Sequence, residues 1–317
     1  MTSKIQWLSK EITHHLQHYE QLSEEIELFL AFNSLSPLEK QARTDVISNI
    51  RKAVPSGIVY SYGSFPANLS LFFSDIDIGV ENFNLRRIEP LLQFFAKTSY
   101  IQAKVPILQC VDRNTFLEFD VSNGGPEVQN DIQDCHNLQE KEKQILLLIK
   151  IFLKNRQLHK PHTGGCSSRI LIELVLAFFK FKKDEIAKQN SGQVLLNFFE
   201  FYGTKFNSND MEINNQKIQR RKVYSGNQLS IIIDGKDIGG PVYNYVLIRR
   251  AFELAWLTLQ RKRKENDNII LSRVFFVEDL SIRNQIYNYY GVINSNCQNA
   301  RDSEELSNFD IDEVQEV

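Results

Sequence analysis

The chain has 317 residues, enough for about two domains. Hydrophobic residues make up 42% and charged residues 24%, a balance that points to a folded globular protein and excludes wholesale disorder. A formal net charge of −2 excludes nucleic-acid binding through bulk electrostatics, so such a partner needs a local basic cleft or a second protein.

Cys110, Cys135, Cys166 and Cys297 are far apart and form no CxxC pair, which argues against a zinc site and suits a reducing compartment. The opening MTSKIQWLSKEITHH lacks the apolar core of a secretion signal. The most apolar stretch, Ile170 to Phe179, is too short to span a bilayer and contains Glu173. A soluble, intracellular protein with no membrane partner is expected.

Residues 4–30 read as one or two amphipathic helices, with Ile5, Leu8, Ile12, Leu16 and Tyr19 at helical spacing. His14 and His18 are i, i+4 on that stretch, but no acidic residue backs them, so a solvated helix face is expected there. Ser36-Pro37-Leu38-Glu39 is a helix start: Ser at the N-cap, Pro at N1 and Glu at N3. That helix runs to about Val54 and is broken by Pro55-Ser56-Gly57. Ile58 to Tyr62 reads as a strand, and Gly63-Ser64 turns the chain into a short helical segment. Ser74 to Val80 is the next strand, with Ile76, Ile78 and Val80 alternating against Asp75 and Asp77. A helix at 87–98 and strands at 100–110 and 116–121, separated by Asp112-Arg113-Asn114, complete a small α/β unit.

Further on the pattern is helical. Helices are expected at 138–154, 167–182, 194–202 and 243–263, with an irregular stretch at 203–237 that includes a strand at Leu229 to Ile233. Residues 302–317 carry seven acidic residues and no basic one, the composition of a disordered tail. No internal repeat is evident.

Alternation puts Asp75 and Asp77 on one strand face, with Ile76 pointing into the core. Adjacent carboxylates repel unless positive charge lies between them. Hard divalent cations such as magnesium prefer carboxylate oxygen, and a pair of them can activate a hydroxyl nucleophile and stabilise a leaving pyrophosphate. Asp120, in Leu117-Glu118-Phe119-Asp120-Val121, is the candidate third carboxylate, and Glu118 is the runner-up. An isolated Asp-x-Asp equally describes the solvated face of an edge strand. Here Gly63-Ser64 precedes it, where a glycine lets backbone approach an anion and a helix start offers free N–H groups to phosphate.

The sequence resembles the DNA-polymerase-β-type nucleotidyltransferase superfamily, and more narrowly the noncanonical poly(A) polymerases and terminal uridylyltransferases of the Trf and Cid type. The likeness is carried by Gly63-Ser64-Phe65, Ser74-Asp75-Ile76-Asp77, and Val105-Pro106-Ile107 leading into Leu117 to Ser122. It continues through Thr163-Gly164-Gly165-Cys166-Ser167-Ser168, Asp237-Ile238-Gly239, Tyr243-Asn244 and Ala251-Phe252-Glu253. The resemblance implies an α+β fold: a small mixed-sheet palm at 41–130 and a mostly helical central domain from 1–40 and 131–301, with the active-site cleft between them and the acidic tail at 302–317. It implies that Asp75, Asp77 and Asp120 hold two Mg2+ or Mn2+ ions, and that Gly63 and Ser64 contact the triphosphate of ATP. It also implies that Lys150, Lys154 and Ser168 reach the phosphates and that Asn130 lies near the ribose. Two solvated lysines on an amphipathic helix would show the same periodicity as Lys150 and Lys154.

The implied activity is template-independent transfer of AMP from ATP to RNA 3′ ends. The implied partners are the RNA 3′ end, a zinc-knuckle RNA-binding protein and an RNA helicase, and the nucleus is the expected compartment, with the cytoplasm as the alternative. Terminal uridylyl or cytidylyl transfer, and an inactive scaffold of the same fold, are the competing readings. An oligoadenylate- or antibiotic-modifying transferase fits the C-terminal blocks less well. Three departures bear on nucleotide choice and turn geometry: Arg169 in place of a base-stacking tyrosine, Ala67-Asn68 in place of Thr-Gly, and Lys236 where uridylyltransferases often carry a histidine. The basic runs Arg220-Arg221-Lys222 and Arg261-Lys262-Arg263-Lys264 read equally as RNA-steering patches, nuclear addresses or solvated loop and helix ends.

Overall fold

The computed structural model describes residues 6–8, 17–102, 106–123, 138–222, 226–261 and 269–292. In chain order, α1 (His18–Asn33), α2 (Pro37–Ala53), β1 (Ile58–Tyr62), β2 (Ile76–Glu81), α3 (Leu85–Leu92), β3 (Ala96–Ile101), β4 (Ile107–Asp112) and β5 (Glu118–Ser122) come first. They are followed by α4 (Glu140–Asn155), α5 (Ser168–Phe181), α6 (Lys183–Ile186), α7 (Ser191–Glu200) and a π-helical turn (Phe201–Lys205). Strands β6 (Met211–Asn214), β7 (Lys217–Arg220), β8 (Ile231–Ile233) and β9 (Lys236–Asp237) precede α8 (Tyr245–Leu259), and residues 281–292 form α9. The fold is α+β with mixed sheets.

The described residues fall into two compact units. The α/β unit is drawn from Leu35–Ile132 and Asp279–Val317. Its sheet has the order β1-β2-β5-β4-β3, antiparallel throughout except for the parallel β2–β5 pair. Ile76, Ile78, Val80, Leu108, Phe119 and Val121 bury one face of it, and α2 and α3 cover them with Val46, Ile50, Ile88 and Leu92. Helix α2 starts where its sequence says it should: Ser36 Oγ accepts from Glu39 N–H at 3.2 Å while Glu39 accepts from Ser36 N–H at 2.7 Å. The expected helix at 87–98 is shorter, because residues 96–101 alternate in burial and pair with β4. The expected single strand at 100–110 is accordingly two antiparallel strands.

Residues 281–292 fall in the range expected to form the helical domain, with no helix foreseen there, and they form α9. It belongs instead to the α/β unit, where Ile286 is fully buried in the sheet core and Ile282 and Tyr290 pack on it. Residues 35–40 join the same unit with α2. The acidic tail at 302–317 lies outside the described residues.

The helical unit is drawn from Met1–Ser34 and Gln133–Glu278. Its centre is aromatic: Phe152, Phe178, Phe198, Phe199, Tyr202 and Phe252 are wholly buried, with ring centroids 4.9 to 5.7 Å apart for Phe152–Phe199, Phe178–Phe198, Phe198–Tyr202 and Phe198–Phe252. Such pairs add directional attraction to area burial. The π-helical turn brings Gly203 against α8, where an added Cβ would lie 2.6 Å from Glu253 N. The stretch expected to be irregular at 203–237 forms a second sheet, ordered β7-β6-β8-β9. Its strands are two to four residues long, too short to leave a clear alternation in the sequence.

Candidate active site

Strands β2 and β5 lie side by side and parallel, with Asp77 directly opposite Asp120. Register partners face the same way, so the two carboxylates stand abreast. Ile76 and Phe119, one residue earlier on each strand, are fully buried on the other face. Asp75 is exposed at the entry to β2, while Asp77 and Asp120 are half-buried. Burial, the charge of Asp75 and then that of Glu118 push the Asp120 carboxyl up to about 6. Tyr62, the last residue of β1, is the register partner of Asp77 on β2 and shares a 3.1 Å hydrogen bond with Ser122 Oγ. Burial pushes its phenol up to about 12, opposed by the Ser122 bond and aided by Asp77 and Asp120. One end of the sheet thus concentrates negative charge contributed by Asp75, Asp77 and Asp120.

The turn after β1 reaches the same place. Gly63 has φ +71°, and a Cβ there would sit 2.3 Å from Asp77 Oδ2. Glycine is required on both counts, for the left-handed backbone and for the approach of the carboxylate. The helical segment expected after Gly63-Ser64 is absent: residues 63–68 are consecutive turns. Pro66 has no N–H to donate and Asn68 sits at φ 55°, so a helix cannot propagate. Donors to a phosphate here would be turn amides and the Ser64 hydroxyl, without a helix dipole. Ser64 Oγ bonds Ser70 Oγ at 3.0 Å and its carbonyl accepts from Leu69 N–H at 2.9 Å, which closes the turn.

The helical unit carries the remaining candidates. Lys150 and Lys154 are half-exposed on α4, opposite the buried Leu148, Ile149, Ile151 and Phe152. Ser168 is exposed at the first position of α5, whose cap is Ser167, accepting from Ile170 N–H at 3.4 Å. Arg169 pairs with the buried Glu173 at 3.2 Å, one turn along the same helix. Two blocks distant in sequence meet here. Tyr243 Oη donates to His162 O at 2.9 Å and Asn244 Nδ2 to Thr163 O at 2.7 Å, pinning the loop that leads into α5. Asn130 lies outside the described residues.

Two residues around the acidic cluster were not anticipated: Tyr62, described above, and Arg43. Arg43 is fully buried and bonds the carbonyls of Leu71, Phe72 and Ser74, the residues leading into Asp75. Its signal in the sequence was a charge inside the apolar stripe Ala42, Val46, Ile47 and Ile50.

The donor set suits a hard divalent cation: three carboxylates, two of them adjacent in register, and one whose proton affinity is raised by burial and then by the charges of Asp75 and Glu118. Among the described residues, however, no three His, Cys, Asp or Glu side chains are gathered into a cage ready to hold an ion.

A parallel acidic pair on a mixed five-stranded sheet, beside a Gly-Ser turn, is the arrangement to set against known proteins. No family model matches the chain. Poly(A) RNA polymerase protein 2 of Saccharomyces cerevisiae is 30% identical over 217 residues, 61% of this chain and 37% of its own length. Poly(A) RNA polymerase CID14 of Cryptococcus neoformans is 28% identical over 217 residues, 61% of this chain and 28% of its own length. The matched region therefore spans roughly a third of these curated relatives. Trf4-2 of Drosophila melanogaster, an inactive noncanonical poly(A) RNA polymerase protein, is 23% identical and covers 87% of this chain and 77% of its own. Among solved structures, the polymerase core of TRAMP, an RNA surveillance complex, superposes with a TM-score of 0.77 at 24% identity, over 87% of this chain and 100% of that one. The Cid1 poly(U) polymerase gives 0.67 at 17% identity, over 83% and 100%. The chain is thus similar in sequence to poly(A) RNA polymerases and shares the fold of the TRAMP polymerase core.

Proposed function

We propose that this protein adds nucleotides to the 3′ ends of RNA without a template, taking AMP from ATP and releasing pyrophosphate. The observation that carries this reading is the register of Asp77 against Asp120, with Asp75 and the Gly63-Ser64 turn at the same sheet end. Asp75, Asp77 and Asp120 would hold divalent cations, which when bound supply Lewis-acid activation of the attacking hydroxyl and charge for the leaving group. Asp120 orients the RNA 3′-hydroxyl and accepts its proton. Ser64 and the turn amides bind the triphosphate, Gly63 keeps Asp77 close to them, and Lys150, Lys154 and Ser168 are the proposed phosphate contacts of the helical unit.

RNA supplied as a labelled oligonucleotide, with ATP and magnesium, tests the proposal directly. The intact protein should extend it, alone or with a zinc-knuckle RNA-binding partner and helicase, and Asp75→Ala should not. No extension under any of these conditions, or full activity in Asp75→Ala, removes the proposal. A second reading, uridylyl transfer, is favoured by the superposition on Cid1. Competing the four nucleotides against one another decides it. Preferential incorporation of UMP would replace ATP as the substrate.

A further inference from the structure

The turn that delivers Asp75 is gripped from inside the protein. Leu71 to Ser74 form a tight turn, with Ser74 N–H donating to Leu71 O at 2.9 Å and Leu71 N–H to Ser74 Oγ at 3.1 Å. Three of its carbonyls converge on one nitrogen of Arg43: Nη2 donates to Leu71 O at 3.4 Å, Phe72 O at 3.0 Å and Ser74 O at 2.8 Å. Nη1 donates to Glu39 O at 3.1 Å, within α2. A second arginine holds the same turn by its ring. Arg283, on α9, lies with its guanidinium 4.3 Å above the Phe72 ring and makes a two-point ion pair with the buried Glu39, at 2.6 and 3.1 Å.

Packing alone does not explain this. Arg43 occupies a slot in the apolar stripe of α2, where a guanidinium must be stripped of water, a cost that an aliphatic side chain would not carry. Its hydrogen bonds go to α2 itself and to a single turn, and the residue after that turn is Asp75. The Ser64–Ser70 hydroxyl bond ties the Gly63-Ser64 turn to the same loop.

We propose that Arg43 is a positioning residue for the acidic cluster: by clamping the Leu71–Ser74 carbonyls it sets where Asp75 stands beside Asp77 and Asp120, and Arg283 steadies the clamp from α9. This rests on the proposed reaction for its kinetic readout only. Lysine keeps the charge but has a single nitrogen, so it cannot bond Glu39 O on α2 through one donor atom and the turn carbonyls through another.

The test compares the full chain with Arg43→Lys, Arg43→Met and Arg283→Met, and with Asp75→Asn as a reference. Thermal stability, Mn2+ affinity by loss of the free-ion EPR signal, and kcat and KM for ATP are measured on each. Arg43→Lys should remain folded, bind Mn2+ roughly 10-fold more weakly, and lose roughly 10- to 100-fold in kcat, while KM for ATP moves less than about 3-fold. Excess Mn2+ should restore part of that kcat. Arg283→Met should change in the same direction by roughly 3-fold. Should Arg43→Met fail to fold, Arg43→Lys and Arg283→Met decide the matter. Folded Arg43→Lys with wild-type Mn2+ affinity and kcat overturns the proposal, as does a wild-type protein whose Mn2+ binding is unaffected by Asp75→Asn. A wild-type protein that binds Mn2+ at Asp75 yet extends no RNA removes the proposed reaction instead, and the Mn2+ comparison still decides the role of Arg43.

Discussion

Replacing Asp120 with asparagine should make the cation-free protein more stable while abolishing its activity. In the fold, burial and the charges of Asp75 and Glu118 raise the Asp120 carboxyl from 3.8 to about 6. A shift of about 2 units corresponds to roughly 3 kcal/mol at full weight. The side chain is only half-buried, so solvent screening reduces this to about 1 kcal/mol. Because the folded pKa is the higher one, the native state binds the proton more tightly than the unfolded chain does. The associated stability is present below about 4 and is lost as pH rises through about 6. At pH 7.5 in EDTA the wild type therefore carries the full penalty of the charged group, and Asp120→Asn does not. The variant should melt about 2–4 °C higher there, with the difference closing by pH 4. Saturating Mg2+ should raise the melting point of the wild type and leave that of the variant nearly unchanged. Melting scans across pH in EDTA make the measurement. A variant no more stable than wild type at pH 7.5, or an advantage that persists undiminished at pH 4, would refute the electrostatic account of the cluster.

Gly63→Ala should cut kcat by roughly 100-fold, because the new methyl displaces the Asp77 carboxylate 2.3 Å away; steady-state kinetics at saturating ATP would show it, and unchanged turnover would mean that Asp77 is free to move. Gly203→Ala should destabilise the helical unit by about 2 kcal/mol, since its methyl meets Glu253 N at 2.6 Å across the packed turn, as measured by denaturant unfolding. A nonhydrolysable ATP analogue with Mg2+, at about 100 times its dissociation constant, should stabilise the wild type by about 2.7 kcal/mol and leave Asp75→Ala unaffected. Equal stabilisation of both would place the nucleotide elsewhere.

Arg43 and Arg283 bear on how the approach to Asp75 is held. A turn whose carbonyls are occupied by Arg43 and whose ring lies under Arg283 has little freedom to relax when the neighbouring aspartates repel.

Much of this was legible in the sequence, and for local reasons. Alternation of Ile76, Ile78 and Val80 marked β2 and put Asp75 and Asp77 opposite the core, because strand side chains alternate faces whatever the surroundings. The Ser36-Pro37-Leu38-Glu39 cap marked the start of α2 because its hydrogen bonds close within four residues. The residue types in the acidic cluster and the Gly63-Ser64 turn were readable in the same way. Tertiary structure decided everything that depends on which segments become neighbours. It set Asp120 beside Asp77, folded residues 96–101 into a strand against helical-looking spacing, built the short sheet β6–β9, and drew α9 onto the α/β core. It also gave Arg43 its hydrogen-bond partners. A charge in an apolar stripe is visible in one dimension, but the carbonyls that satisfy it lie 28 to 31 residues away and come within reach only when the chain has folded.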